Sequence, residues 1–92
     1  MAQTIYTIVT TDYSEDYVLG TIKKVSTKSF SNKQAAEDYF RNNIVEKEEK
    51  LDFKKDEIYI PQGATHYNLQ EEFRDEPLDD WFEMQIFETT LD

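Results

Sequence analysis

The sequence contains a single histidine, His66, set between Thr65 and Tyr67. An imidazole there could act as a general base, but no cysteine and no orienting pattern accompany it, so it reads as a surface histidine in a loop. The two glycines, Gly20 and Gly63, stand apart. Neither a phosphate-cradling loop nor a dinucleotide fingerprint can be assembled from them. The run Asp12-Tyr13-Ser14-Glu15-Asp16 opens like a calcium loop, with oxygens at the first, third and fifth positions. The match ends there, because Tyr17 stands where the sharp turn needs glycine and Lys23 where the bidentate glutamate belongs. Paired carboxylates such as Glu71 and Glu72, or Asp79 and Asp80, are the groups that bind hard cations or share acid–base work. With twenty acids in 92 residues, such pairs arise by chance. The expectation is a protein with no catalytic constellation, no cofactor and no metal.

The elements that would position these residues follow from local pattern. Gln3 to Thr11 is dense in β-branched and aromatic side chains and reads as a strand. Asp12 to Asp16 supplies turn chemistry, and Tyr17 to Val25 resumes an extended pattern, with Gly20 marking a bulge or close approach. Ser31 with Gln34 has the spacing of a capping box, and Phe30 sits where a hydrophobic staple would. Ala36, Tyr39, Phe40 and Ile44 then recur at three- and four-residue spacing. That makes a helix to about residue 49, with Glu37, Asp38, Arg41 and Glu48 towards water. Glu57 to Ile60 reads as a short strand stopped by Pro61-Gln62-Gly63. A loop or short helical turn leads to residue 80. Trp81 to Thr90 alternates Phe82, Met84 and Ile86 against Glu83, Gln85 and Phe87, the pattern of a central strand. The expected fold is α+β: a small antiparallel sheet of about four strands in β-β-α-β-β order, with one main helix on one face.

A chain of 92 residues is one domain, residues 1–92, with room for one sheet and one helix but not for a deep cleft as well. Thirteen aromatics spread along it argue against disorder. Tyr13, Tyr17, Tyr59 and Tyr67 are candidates for an interface, but most aromatics in a domain this small are core or half-buried, and that is the expectation for each. The absence of cysteine fits a reducing compartment, and the first residues lack the basic patch and apolar run of a signal peptide. No stretch approaches a membrane span. A cytoplasmic protein is expected.

Charge distribution carries more than any motif. The net charge is −10 and the isoelectric point near 4.4, which disfavours direct contact with nucleic acid or an anionic membrane and favours basic proteins. Residues 1–65 hold eleven acids and nine bases, whereas residues 66–92 hold nine acids and Arg74 alone. Glu71, Glu72, Asp75, Glu76, Asp79 and Asp80 are interleaved with Phe73 and Leu78 and followed by Trp81 and Phe82. If helical, this segment would carry six acids along about 15 Å, roughly one per 2.5 Å. That lies between the ~1.7 Å per charge of duplex DNA and the ~3.4 Å of a single strand. If extended, as Pro77 favours for its second half, the spacing doubles and the analogy needs further acids, Glu83 and Glu88 being the candidates. The segment reads equally as a solubilising surface or as a binding surface.

Ile5-Tyr6-Thr7-Ile8-Val9, Gly20 before a second strand, Phe30-Ser31 with Ala35-Ala36 and Tyr39-Phe40, and Trp81 opening a strand that closes near Glu88 together resemble short phage and mobile-element accessory proteins. Some of these, including certain small anti-CRISPR proteins, bind and block host defence machinery. The resemblance implies no catalytic residues, and the acidic 71–80 segment is not part of it. The expectation is a non-enzymatic acidic inhibitor, phage-encoded and of DNA-mimic type, occupying a basic nucleic-acid-binding surface of a bacterial defence protein. Its contacts would be Glu71, Glu72, Asp75, Glu76, Asp79, Asp80 and Glu83, with Phe73 and Trp81 as anchors. The alternatives are a structural or assembly protein that forms a homodimer or larger homo-oligomer, and an immunity-type protein against a basic toxin.

Overall fold

The computed structural model describes residues 3–51, 60, 61, 63–72 and 78–91. They form β1 (Gln3–Asp16), β2 (Gly20–Phe30), α1 (Lys33–Lys50), β3 (His66–Asn68), α2 (Leu69–Glu72) and β4 (Asp80–Leu91). The four strands make one antiparallel sheet in the order β2-β1-β4-β3, with α1 across one face. The fold is α+β with the expected sheet and main helix, and β4 is central. Its element order differs from β-β-α-β-β by the short helix α2.

The face under α1 is set by the period of two along each strand. Ile8 lies opposite Ile86, and Thr10 opposite Met84; Tyr67 of β3 lies opposite Met84 from the other side. These side chains meet Ala36, Phe40 and Ile44 of α1 in a core completed by Leu69 and Phe82. Glu48 continues the four-residue spacing of Ala36, Phe40 and Ile44, so it falls on the buried stripe and is 3% exposed rather than facing water as expected.

Local details shift by a residue or more. The helix cap is Asn32, not Ser31: its Oδ1 accepts the N–H of Ala35 at 3.0 Å from an extended backbone at φ −113°, ψ 124°. Gln34 does not close a capping box, because its Nε2 donates to Asp38 Oδ1 at 2.9 Å. With the cap moved on by one residue, Phe30 packs further along the helix, its ring 5.3 Å from that of Tyr39.

The hairpin turn is also later than expected. β1 continues through Asp12–Asp16, and the turn is Tyr17–Leu19, closed by Gly20 at φ +80°. A Cβ on Gly20 would meet nothing within 4 Å. The glycine is there for its left-handed backbone, not for close approach. The expected strand at Glu57 to Ile60 lies outside the described residues except for Ile60, which belongs to no strand. His66, expected in a loop, belongs instead to the third strand. That strand is joined to β4, and Ile60 is tied to α1 by Arg41, whose guanidinium donates to the Ile60 carbonyl at 3.2 and 3.3 Å.

Among the described residues, the lengths of these elements leave one end of the sheet uncovered. Fourteen residues of β1 span roughly 45 Å, whereas the eighteen of α1 span about 27 Å. The helix starts beside the Tyr6–Phe30 end and its last turn reaches Asp12, which Lys47 meets at 2.6 Å. Beyond that pair the β1–β2 hairpin projects with no helix over it among the described residues.

Candidate functional site

The projecting end carries acids from two distant parts of the chain. In the β1–β4 register, Ser14 lies opposite Asp80, and the N–H of Glu15 donates to the Asp79 carbonyl at 3.0 Å. The approach to β4 is thereby tied to the end of β1. Glu15, Asp16, Asp79 and Asp80 line one recess of ≈ 400 Å³ together with Tyr17. Thr21 donates its hydroxyl to Glu15 Oε1 at 2.7 Å across the hairpin. Asp16 Oδ1 accepts the N–H of Val18 at 2.8 Å and of Leu19 at 2.9 Å. The bond from Leu19, then that from Val18, holds the Asp16 carboxyl below its ordinary value. Asp16 therefore both carries charge and builds the turn.

That turn presents Tyr17, Val18 and Leu19 to solvent at 110%, 88% and 74% exposure. Three consecutive large exposed apolar side chains, beside a recess lined by four carboxylates, are unlike the scattered single apolar residues of an ordinary surface. Among the tyrosines expected inside, Tyr67 is buried and Tyr13 half-buried, but Tyr17 is fully outside.

The structure divides the residues expected to bind a partner. Asp79 and Asp80 join the acidic end. Trp81 is half-buried and stacked on Tyr13, with ring centroids 3.8 Å apart at 9°; it supports the sheet end instead of standing free as an anchor. Glu83 faces away from α1, where its Oε2 pairs with His66 Nε2 at 2.8 Å and accepts from Asn68 Nδ2 at 3.3 Å. The His66 bond is the largest cause holding the Glu83 carboxyl below its ordinary 4.5. Glu71 is exposed on α2, where its N–H donates to Asn68 Oδ1 at 3.1 Å, and Glu72 ends that helix. Neither Glu71 nor Glu83 lines the acidic recess. Phe73, Asp75 and Glu76 lie outside the described residues. Glu88 lies opposite Tyr6, eight residues along β4 from Asp80, and so belongs to the far end of the sheet.

Two contributors went unread in the sequence: the acids Glu15 and Asp16, tested there only as calcium ligands, and the apolar tip. Among the described residues, no group of three or more His, Asp or Glu is placed to hold a metal ion, and no helix is long and apolar enough to cross a membrane. No family model, curated protein or solved structure matches the chain.

Proposed function

We propose that this chain is a non-enzymatic binding protein that occupies a basic surface of another protein with the acidic end of its sheet. One observation carries the reading: Glu15, Asp16, Asp79 and Asp80, separated by more than sixty residues of sequence, converge around an exposed apolar turn. Carboxylates supply steering and register, and desolvated aromatic and aliphatic side chains supply affinity. The partner surface must then offer lysines or arginines around an apolar recess, a chemistry that proteins handling nucleic acid present to phosphates and bases. The sequence resemblance directs the search to bacterial defence proteins, blocked by a phage-encoded inhibitor.

The test is affinity capture from a bacterial lysate with the native chain and with a variant carrying Glu15→Gln, Asp16→Asn, Asp79→Asn and Asp80→Asn. Asparagine at position 16 retains an oxygen for the turn. A basic nucleic-acid-handling protein retained by the native chain alone, and bound roughly tenfold more weakly in 0.5 M than in 0.05 M salt, is the expected result. Equal retention by both chains would contradict the reading.

A further inference from the structure

Beside the projecting hairpin, at the C-terminal end of α1, lies a second recess of ≈ 330 Å³. Its apolar wall includes Ile22, Leu51 and Phe82, and Lys24, Lys47 and Lys50 stand around it. Two aspartates also line it: Asp12, already paired with Lys47, and Asp80. Among the described lining residues, three lysines stand against two aspartates, on a chain of net charge −10. Lys24 and Lys50 make no ion pair among the described residues.

This recess has the chemistry that the hairpin tip calls for. The tip is apolar, with Glu15, Asp16 and Asp79 beside Tyr17; the recess has an apolar wall with Lys24, Lys47 and Lys50 at it, Asp12 paired with Lys47, and Asp80 shared with the acidic recess. The tip of one chain cannot enter its own recess, because both are parts of the same extended hairpin, roughly 15 Å apart along the strands. Two copies laid antiparallel, overhang against overhang, bring each tip over the other's recess. We propose that the chain forms a two-fold dimer in which each Tyr17–Leu19 turn fills the lysine-rimmed recess of the second copy.

The arrangement is isologous and closes on itself, so it ends at two chains. Burying both tyrosines removes roughly 300–500 Å². With Val18, Leu19, Ile22 and the recess walls of both copies, the contact reaches the about 1,000 Å² at which specific interfaces begin. The dissociation constant expected for such a contact lies in the low-micromolar to sub-millimolar range. The dimer does not depend on the function proposed above, since it needs no other protein. Where both hold, dimerisation sheathes the tip and competes with partner binding.

Sedimentation equilibrium on the purified chain, from low micromolar to sub-millimolar concentration, tests this. The native chain is expected to pass from one to two chain masses across that range. Tyr17→Ser with Leu19→Ser should weaken self-association at least tenfold without lowering the melting temperature, because neither side chain touches the core. Two charge-reversed chains provide the decisive arm: one carries Lys24→Glu and Lys50→Glu, the other Glu15→Lys and Asp79→Lys. Each alone should stay monomeric where the native chain dimerises, and an equimolar mixture should recover the dimer through one acid-tip and one lysine-tip contact. A native chain monomeric throughout, or a dimer indifferent to the tip substitutions, overturns the proposal, as does a mixture that fails to associate. Failure of the dimer leaves the binding proposal standing, because the lysate capture scores a different protein and not self-association.

Discussion

Ile8 and Tyr17 belong to the same hairpin, nine residues apart, yet Ile8 is 1% exposed and Tyr17 110%. The difference follows from element length. The helix is long enough to cover the Tyr6-to-Asp12 half of β1 and stops there, so among the described residues the same antiparallel ladder is a core wall at one end and an exposed projection with acids beside it at the other. The covered end holds the chain together through burial, while the bare end leaves apolar surface and charge uncommitted to the fold. Substitutions at the covered end should therefore cost stability, and truncation of the exposed Tyr17 and Leu19 side chains should cost association alone.

The largest expected effect is at the covered end. Phe40→Ala removes a ring that is 1% exposed and should cost about 3–5 kcal/mol, a large share of the 5–15 kcal/mol typical of a domain. Urea unfolding measures it, and a loss as small as that at the tip would erase the contrast. Gly20→Ala forces an L side chain to φ +80° and should cost about 1–2 kcal/mol, without steric clash. The strain falls on the backbone of the turn and not on the core. Thermal unfolding reads it.

A cap comparison is smaller. Asn32→Ala should cost about 1 kcal/mol, whereas Ser31→Ala should stay within about 0.5 kcal/mol, and equal losses would return the cap to Ser31. The smallest effect lies on the open face. Glu83→Gln removes a partly exposed pairing with His66 and should cost up to about 1 kcal/mol near neutral pH. The Glu83 carboxyl is lowered from 4.5, so the folded state binds fewer protons there. Its contribution is complete above that ordinary value and is lost as pH falls through the lowered one. Native and variant stabilities should then converge at acid pH, and a gap that widens on acidification would reverse the assignment.

Most of the frame was legible from residue pattern. β-branched density marks β1, alternation marks β4 with Phe82 and Met84 inward, and the Ala36, Phe40, Ile44 spacing marks the buried face of α1. The third strand was not legible, because His66–Asn68 is too short to show a period and is defined by its pairing with β4. Glu48 was misplaced because its charge was weighed above its position on the four-residue stripe. The proposed binding end was half legible. The acidic bias near Asp79 and Asp80 is plain in the sequence, but its joining with Glu15 and Asp16 depends on strand register, which no local pattern states. Tyr17 looked like a strand residue until β1 proved five residues longer, and that extension is what turns an expected half-buried tyrosine into the tip.

The claim that this acidic end replaces nucleic acid on a basic protein is tested most directly by competition. The partner isolated by capture is loaded with a labelled nucleic acid, the native chain is titrated in, and the label is followed by mobility shift. Release of the nucleic acid as the chain binds, and no release by the Glu15→Gln, Asp16→Asn, Asp79→Asn, Asp80→Asn variant, is the result expected. A ternary complex that keeps its nucleic acid, or release that survives loss of the four carboxylates, would contradict it.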